Sequence, residues 1–203
     1  MIDSKKDFFY YLECDKVALQ QTHQKPRYKH DIIWTYQILL RKCEYISNCK
    51  SGIFWSLYNK WLKYRFVVLS QRLGLSIPFN VFGPGMAIVH YGCTVVNQHS
   101  KIGDNCRIHE GVTIGTNAFS DKAPQIGNNV YIASGAKIIG DIIIAYGVCI
   151  GANSVVVKDI LEPNITVGGI PARKISDNNS DKYLVKATEI ISKDYIPKQY
   201  LER

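Results

Sequence analysis

Lys101–Gly115 reads KIGDNCRIHEGVTIG, with Ile102, Ile108 and Ile114 six residues apart. Six is neither the helical period of about 3.6 nor the strand period of 2. The same register continues through Ile126, Ile132, Ile138, Ile144, Ile150 and Val156. Four residues after most of these stand Cys106, Val112, Val130, Ala136, Ile142, Val148, Ser154 and Ile160, mostly small or apolar. Gly, Asn and Asp crowd the places between, as IGDN, IGNN and IGAN. The pattern predicts that each hexad makes one short strand and one corner. Three hexads then close a triangular coil of about eighteen residues, and coils stack at about 4.8 Å with the aliphatics inside. Asn and Gly suit corners that need positive φ.

On either side of this repeat the sequence changes character. Residues 1–75 show helical patterning in KKDFFYYLECDKVALQQ, HDIIWTYQILLRKCEYIS and GIFWSLYNKWLKYRFVVLSQRL. Pro26 ends the first and Gly74 the last. In the third, Ile53, Phe54, Leu57, Tyr58, Trp61 and Leu62 lie at helical spacing, with Lys60, Lys63 and Arg65 interleaved. Residues 76–175 hold the repeat. Residues 176–203 open with a polar linker and continue into the amphipathic YLVKATEIIS, a short tail helix by expectation.

The net charge of +8 is concentrated at one end. Residues 1–75 carry 13 Lys and Arg against 6 Asp and Glu, residues 76–175 carry 7 against 6, and the tail 5 against 5. That asymmetry suits a solvated basic face, or contact with an anionic membrane or polysaccharide. Nucleic acid is not expected, since no recognition motif accompanies the charge. Six cysteines form no CxxC pair, so reduced thiols are expected. The start MIDSKKDFFYYLECDK has no apolar h-region. A cytoplasmic protein is expected, with membrane-peripheral contact through 1–75 as a further option.

The repeat, followed by VGGIPARKI at 167–175, resembles the hexapeptide-repeat acyltransferases. GPGMAIVHYG and IGDNCRIHEGVTIG are similar to the serine acetyltransferase branch and its relatives in surface-polysaccharide gene clusters. The resemblance covers residues 76–175. It implies a left-handed parallel β-helix, a homotrimer with active sites between neighbouring subunits, and acetyl-CoA as co-substrate. The expected organisation is thus mainly β: an N-terminal helical segment (1–75), the β-helix acetyltransferase domain (76–175) and a C-terminal tail (176–203).

Acetyl transfer to a hydroxyl needs a base for the hydroxyl proton and a donor for the developing oxyanion. Histidine suits the first task, and His23, His30, His90, His99 and His109 are the candidates. His90, in IVHYG, matches the catalytic histidine of the serine acetyltransferases. Ile88 and Ile108 are one coil plus two residues apart, which stacks IHEGVT on IVHYGC and brings Glu110 beside His90. Glu110 or His109 would then orient the base. By resemblance, Thr116, Ser134 and Ala152 match pantetheine contacts, while Lys158 and Arg173 are placed to meet coenzyme A phosphates. The loop 116–125 leaves the coil and is expected over the acceptor.

Three positions depart from the family's serine-binding pattern. Val89 stands where an aspartate precedes the catalytic histidine, Leu75 or Ser76 where a second aspartate orients the imidazole, and Ala123 where DRHP carries a histidine. The expected acceptor is therefore a sugar hydroxyl of surface-polysaccharide biosynthesis, with L-serine as the alternative. A non-catalytic trimeric scaffold is a further alternative, which an intact IVHYG disfavours. Arg203, where serine acetyltransferases commonly dock a terminal isoleucine into their partner enzyme, leads to the expectation of no stable complex with a cysteine synthase. No metal is expected, because His90, His99 and His109 do not reproduce the zinc spacing of the carbonic anhydrases that share the β-helix.

Overall fold

The computed structural model describes residues 1–27, 29–118 and 120–197; Arg203 and its neighbours lie outside them. Three helices come first, α1 (Lys5–Ala18), α2 (Ile32–Cys49) and α3 (Ile53–Leu73). Ser4 caps α1, its Oγ accepting from the Asp7 N–H at 3.0 Å. α3 stops at Gly74, whose φ of 67° closes the helix in the left-handed region. α1 ends at Ala18, three residues before the end of its helical pattern.

Fourteen short strands follow among the described residues. They are β1 (Leu75–Ser76), β2 (Ala87–Ile88), β3 (Thr94–Val96), β4 (Lys101–Ile102), β5 (Arg107–Ile108), β6 (Thr113–Gly115) and β7 (Gln125–Ile126). The chain continues through β8 (Tyr131–Ile132), β9 (Lys137–Ile139), β10 (Ile143–Ile144), β11 (Cys149–Ile150), β12 (Val155–Val156), β13 (Thr166–Gly169) and β14 (Ala172–Ser176). They form three sheets, β1-β3-β6-β9-β12, β4-β7-β10 and β2-β5-β8-β11-β13-β14. From β5 to β12 each strand joins the sheet of the strand three before it, which makes a triangular prism. All pairs are parallel except β13 with β14.

The aliphatic register is the core. Ile108 pairs with Ile132 and Ile132 with Ile150, while Ile114, Ile138 and Val156 form a second ladder, all of them buried. Asn105, Asn129, Asn153 and Asn164 take positive φ at corners. A six-residue extension between β6 and β7 and a two-residue one between β2 and β3 interrupt this register.

A β-helix leaves its first coil with unpaired backbone groups, and burying them without partners is costly. Here the helices supply the partners. Gln37 donates to the Met86 carbonyl at 2.8 Å and accepts from the Ile88 N–H at 2.9 Å. Arg41 donates to the carbonyls of Phe82 and Gly83 at 3.0 and 2.7 Å. Asp15 accepts from the Met86 N–H and Glu44 from the Asn80 N–H, and both pair with Arg41. Sequence patterning marks these residues only as helical.

The tail docks along a corner. Asn105 exchanges hydrogen bonds with Thr188, and Ser180 N–H donates to the Gly147 carbonyl. Its helix, α4 (Ala187–Ile190), is the short tail helix expected within the amphipathic run. The docked backbone of Ser180 and Thr188 bonds to the prism instead of to its own chain.

Candidate active site

β2 pairs with β5 so that Ile88 faces Ile108. Continuing two residues past each strand places His90 above Glu110, and past β8 and β11 come Ser134 and Ala152 in the same corner column. The two-residue extension at 89–93 is stabilised by the Gly92 N–H donating to the Leu73 carbonyl at 2.9 Å. Gly92 has φ +148, and a side chain there would meet Cβ of Glu110 at 2.9 Å. Only glycine lets the turn lie flat on Glu110.

His90 is exposed, whereas His109 and Glu110 are partly buried. Ligating atoms of the three lie within 4.8 Å of one another. The rings of His90 and His109 are 5.8 Å apart at 59°, and His109 Nδ1 is 3.9 Å from Glu110 Oε2. The Ser134 hydroxyl, as the largest influence, holds the Glu110 carboxylate below the usual range; both nearby imidazoles act the same way. Oε2 of Glu110 and Nε2 of His109 are buried with no hydrogen-bond partner. Burial pushes the pKa of His109 down, and the Arg107 guanidinium adds to this. The corner therefore carries an anionic carboxylate and a neutral imidazole next to an accessible one. A cation forming on His90 would sit beside a negative charge with a free lone pair.

His109 is fixed from below by a stack of rings. Tyr131 meets it edge-on at 5.2 Å, and Tyr183 from the tail lies 5.0 Å from Tyr131. A cleft of about 280 Å³ opens at His90, between the prism and the start of α2. His90, Val89, Tyr91 and Arg107 form one wall, and Leu19, Gln21, His30, Asp31, Ile32 and Trp34 contribute to the other. Asp31 is held to a pKa of about 2 by its bonds from Arg27. Arg107 has no carboxylate partner among the described residues. Arg107 and the α2 residues line the cleft, a placement that hexad patterning alone does not reveal. Arg107 is nonetheless legible as the outward neighbour of Ile108.

The five residues matched to coenzyme A contacts do not converge. Ser134 and Ala152 share His90's corner, whereas Thr116 and Lys158 occupy the next corner, after β6 and β12. Arg173 is on β14, opposite Gly168 at the far end. In the loop after β6, Ala123 is buried, and the Asp121 carbonyl meets the His99 ring at 2.8 Å. His99 thus belongs to that loop's anchoring, away from the His90 corner.

No model of a protein family matches the sequence, and no curated protein matches it. Solved structures do. A serine acetyltransferase of Brucella abortus strain S19 in complex with coenzyme A is 25% identical at a TM-score of 0.67, covering 86% of this chain and 70% of that one. A Neisseria gonorrhoeae serine acetyltransferase in complex with serine is 27% identical at 0.62, covering 85% and 71%. The soybean serine acetyltransferase apoenzyme is 26% identical at 0.62, covering 83% and 69%. The prism of parallel hexads, its helical cap and these likenesses agree: the chain has the left-handed β-helix fold of the hexapeptide-repeat acyltransferases, in its serine acetyltransferase-like form.

Proposed function

We propose that the protein is an acetyl-CoA-dependent O-acetyltransferase that transfers acetyl directly to an acceptor hydroxyl, with His90 as general base. The observation that carries this reading is the stack of exposed His90 on Glu110 and His109 at the mouth of the cleft. As the acceptor oxygen attacks the thioester carbonyl, His90 takes its proton. The imidazolium forms against the Glu110 carboxylate, and His109, held neutral, adds no competing charge. A backbone amide stabilises the oxyanion, and the proton passes to the departing thiolate of coenzyme A.

The coenzyme A complex among the solved relatives supports the co-substrate. Thr116 and Lys158 lie on a different edge from Ser134 and Ala152, which fits a coenzyme A site shared between neighbouring copies in a trimer. In this reading Lys158 and Arg173 meet phosphates.

For the acceptor, L-serine has the solved relatives behind it, one of them holding serine. A sugar hydroxyl of surface-polysaccharide synthesis is the second reading, favoured by Val89 next to His90, an apolar side chain where an ammonium group would want a carboxylate. Arg107, without a carboxylate partner, suits an acceptor that carries a carboxylate or phosphate under either reading. Thiol release from acetyl-CoA, measured with L-serine, a uronic acid, a sugar phosphate and neutral sugars, tests the proposal. Acceptor-dependent release that disappears in His90→Ala supports it; release with none of these classes counts against it.

A further inference from the structure

A helix packed on a core normally buries one apolar stripe. α3 has two. Leu62, Phe66 and Leu73 are buried against α2 and the first coil, but Phe54, Leu57, Trp61, Tyr64 and Val68, at alternating spacings of three and four, form a second stripe facing solvent. Phe54 and Tyr64 are each 69% exposed and Leu57 64%. Its 21 residues include Lys60, Lys63, Arg65 and Arg72 and no Asp or Glu. Beside the stripe, a groove of about 610 Å³ between α2 and α3 is lined by Lys42, Arg65, Arg72 and the aromatic rings of Tyr58, Trp61 and Tyr64, with no acidic side chain among the described residues.

The acids of the helical segment do not neutralise this face. Asp15 and Glu44 pair with buried Arg41, Asp31 with Arg27, Glu13 with Lys16, and the Asp7 carboxylate accepts from Ser4 Oγ and the Asp3 N–H at the start of α1. A second copy docking by the same face would set cation against cation. The rest of the chain, with 12 Lys and Arg against 11 Asp and Glu, offers no strongly acidic counterpart. Aromatic rings among basic side chains on a solvent-facing helix are the composition that lies in a lipid headgroup layer.

We propose that the outward face of α3 docks on an anionic phospholipid bilayer. Trp61, Tyr64 and Phe54 enter the headgroup layer, and Lys60, Arg65 and Arg72 meet lipid phosphates. No helix among the described residues is long and apolar enough to span a membrane, so the contact is peripheral. Ile32 lines both the groove and the His90 cleft. A bilayer engaged by α3 therefore lies beside the cleft.

The test is flotation of the full chain with vesicles of phosphatidylcholine alone and of phosphatidylcholine with phosphatidylglycerol. Salt is varied from about 0.1 M to about 1 M, which shortens the screening length from about 10 Å to about 3 Å. At low salt, binding to anionic vesicles should exceed binding to neutral ones by about tenfold or more. It should fall steeply with salt, and both Lys60→Glu with Arg65→Glu and Trp61→Ala should weaken it at unchanged thermal midpoint. Equal binding to both vesicles, or none to either, overturns the proposal. So does a self-associated state that Trp61→Asp dissociates, because a second copy then covers the face.

Discussion

Gln37 pairs with the backbone of Ile88 as a neighbouring strand would, accepting its N–H at 2.9 Å while donating to Met86 O at 2.8 Å. Both groups are buried, and His90 follows two residues later. Gln37→Leu fills the same space and leaves two buried backbone groups without partners. Destabilisation of about 3 kcal/mol is expected, together with slower transfer because the strand carrying the base loses its edge. Denaturant unfolding with a midpoint equal to that of the unaltered protein would show that the pairing carries little weight.

Removing the carboxylate beside the base takes away the negative charge against which the imidazolium forms in the transition state. In Glu110→Gln transfer should slow at unchanged thermal midpoint. Single-turnover measurement of acetyl transfer reads this effect. If the rates of the two proteins agree, Glu110 has no electrostatic hold on the reaction.

Hexad spacing alone makes the prism and the stacking of His90 on Glu110 legible, because an aliphatic every six residues has one packing solution and registers each coil on the next. Ser134 in the same column follows from the same arithmetic. The helical cap is not legible: Gln37, Asp15 and Arg41 look like ordinary polar positions of amphipathic helices, and their task depends on an edge supplied by residues 80–88. The cleft is hidden for the same reason, since Trp34 and His30 meet Arg107 only through tertiary packing. The docking of the tail is not legible either, since the Thr188 N–H bonds to the Asn105 side chain and the Ser180 N–H to the Gly147 carbonyl only through tertiary packing.

His109 has its pKa depressed by burial and by Arg107. As pH falls below the ordinary histidine value of about 6.5, the unfolded chain binds this proton before the folded one does. Stability from this group is thus complete above that pH and is lost as pH falls below it. His109→Phe, whose ring can still meet Tyr131, should flatten that part of the stability–pH curve. Chemical unfolding at a series of pH values measures it, and an unchanged slope would assign the loss to other groups.

Arg107 lines the cleft with no carboxylate partner among the described residues. Arg107→Gln should raise KM for carboxylate- or phosphate-bearing acceptors by about tenfold or more, the worth of a charge-assisted hydrogen bond. KM for acetyl-CoA and activity on neutral sugars should change little. An effect confined to acetyl-CoA would move Arg107 from the acceptor to the co-substrate.

The most direct test of the account is the turnover of His90→Ala with acetyl-CoA and whichever acceptor supports thiol release. Loss of a general base costs about 10²–10⁴ in rate, or about 3–5 kcal/mol of barrier. The variant should therefore lose nearly all turnover at unchanged thermal midpoint and acetyl-CoA affinity, with His99→Ala close to the unaltered enzyme. Retention of about a tenth or more of kcat by His90→Ala would contradict the assignment of His90 as the base.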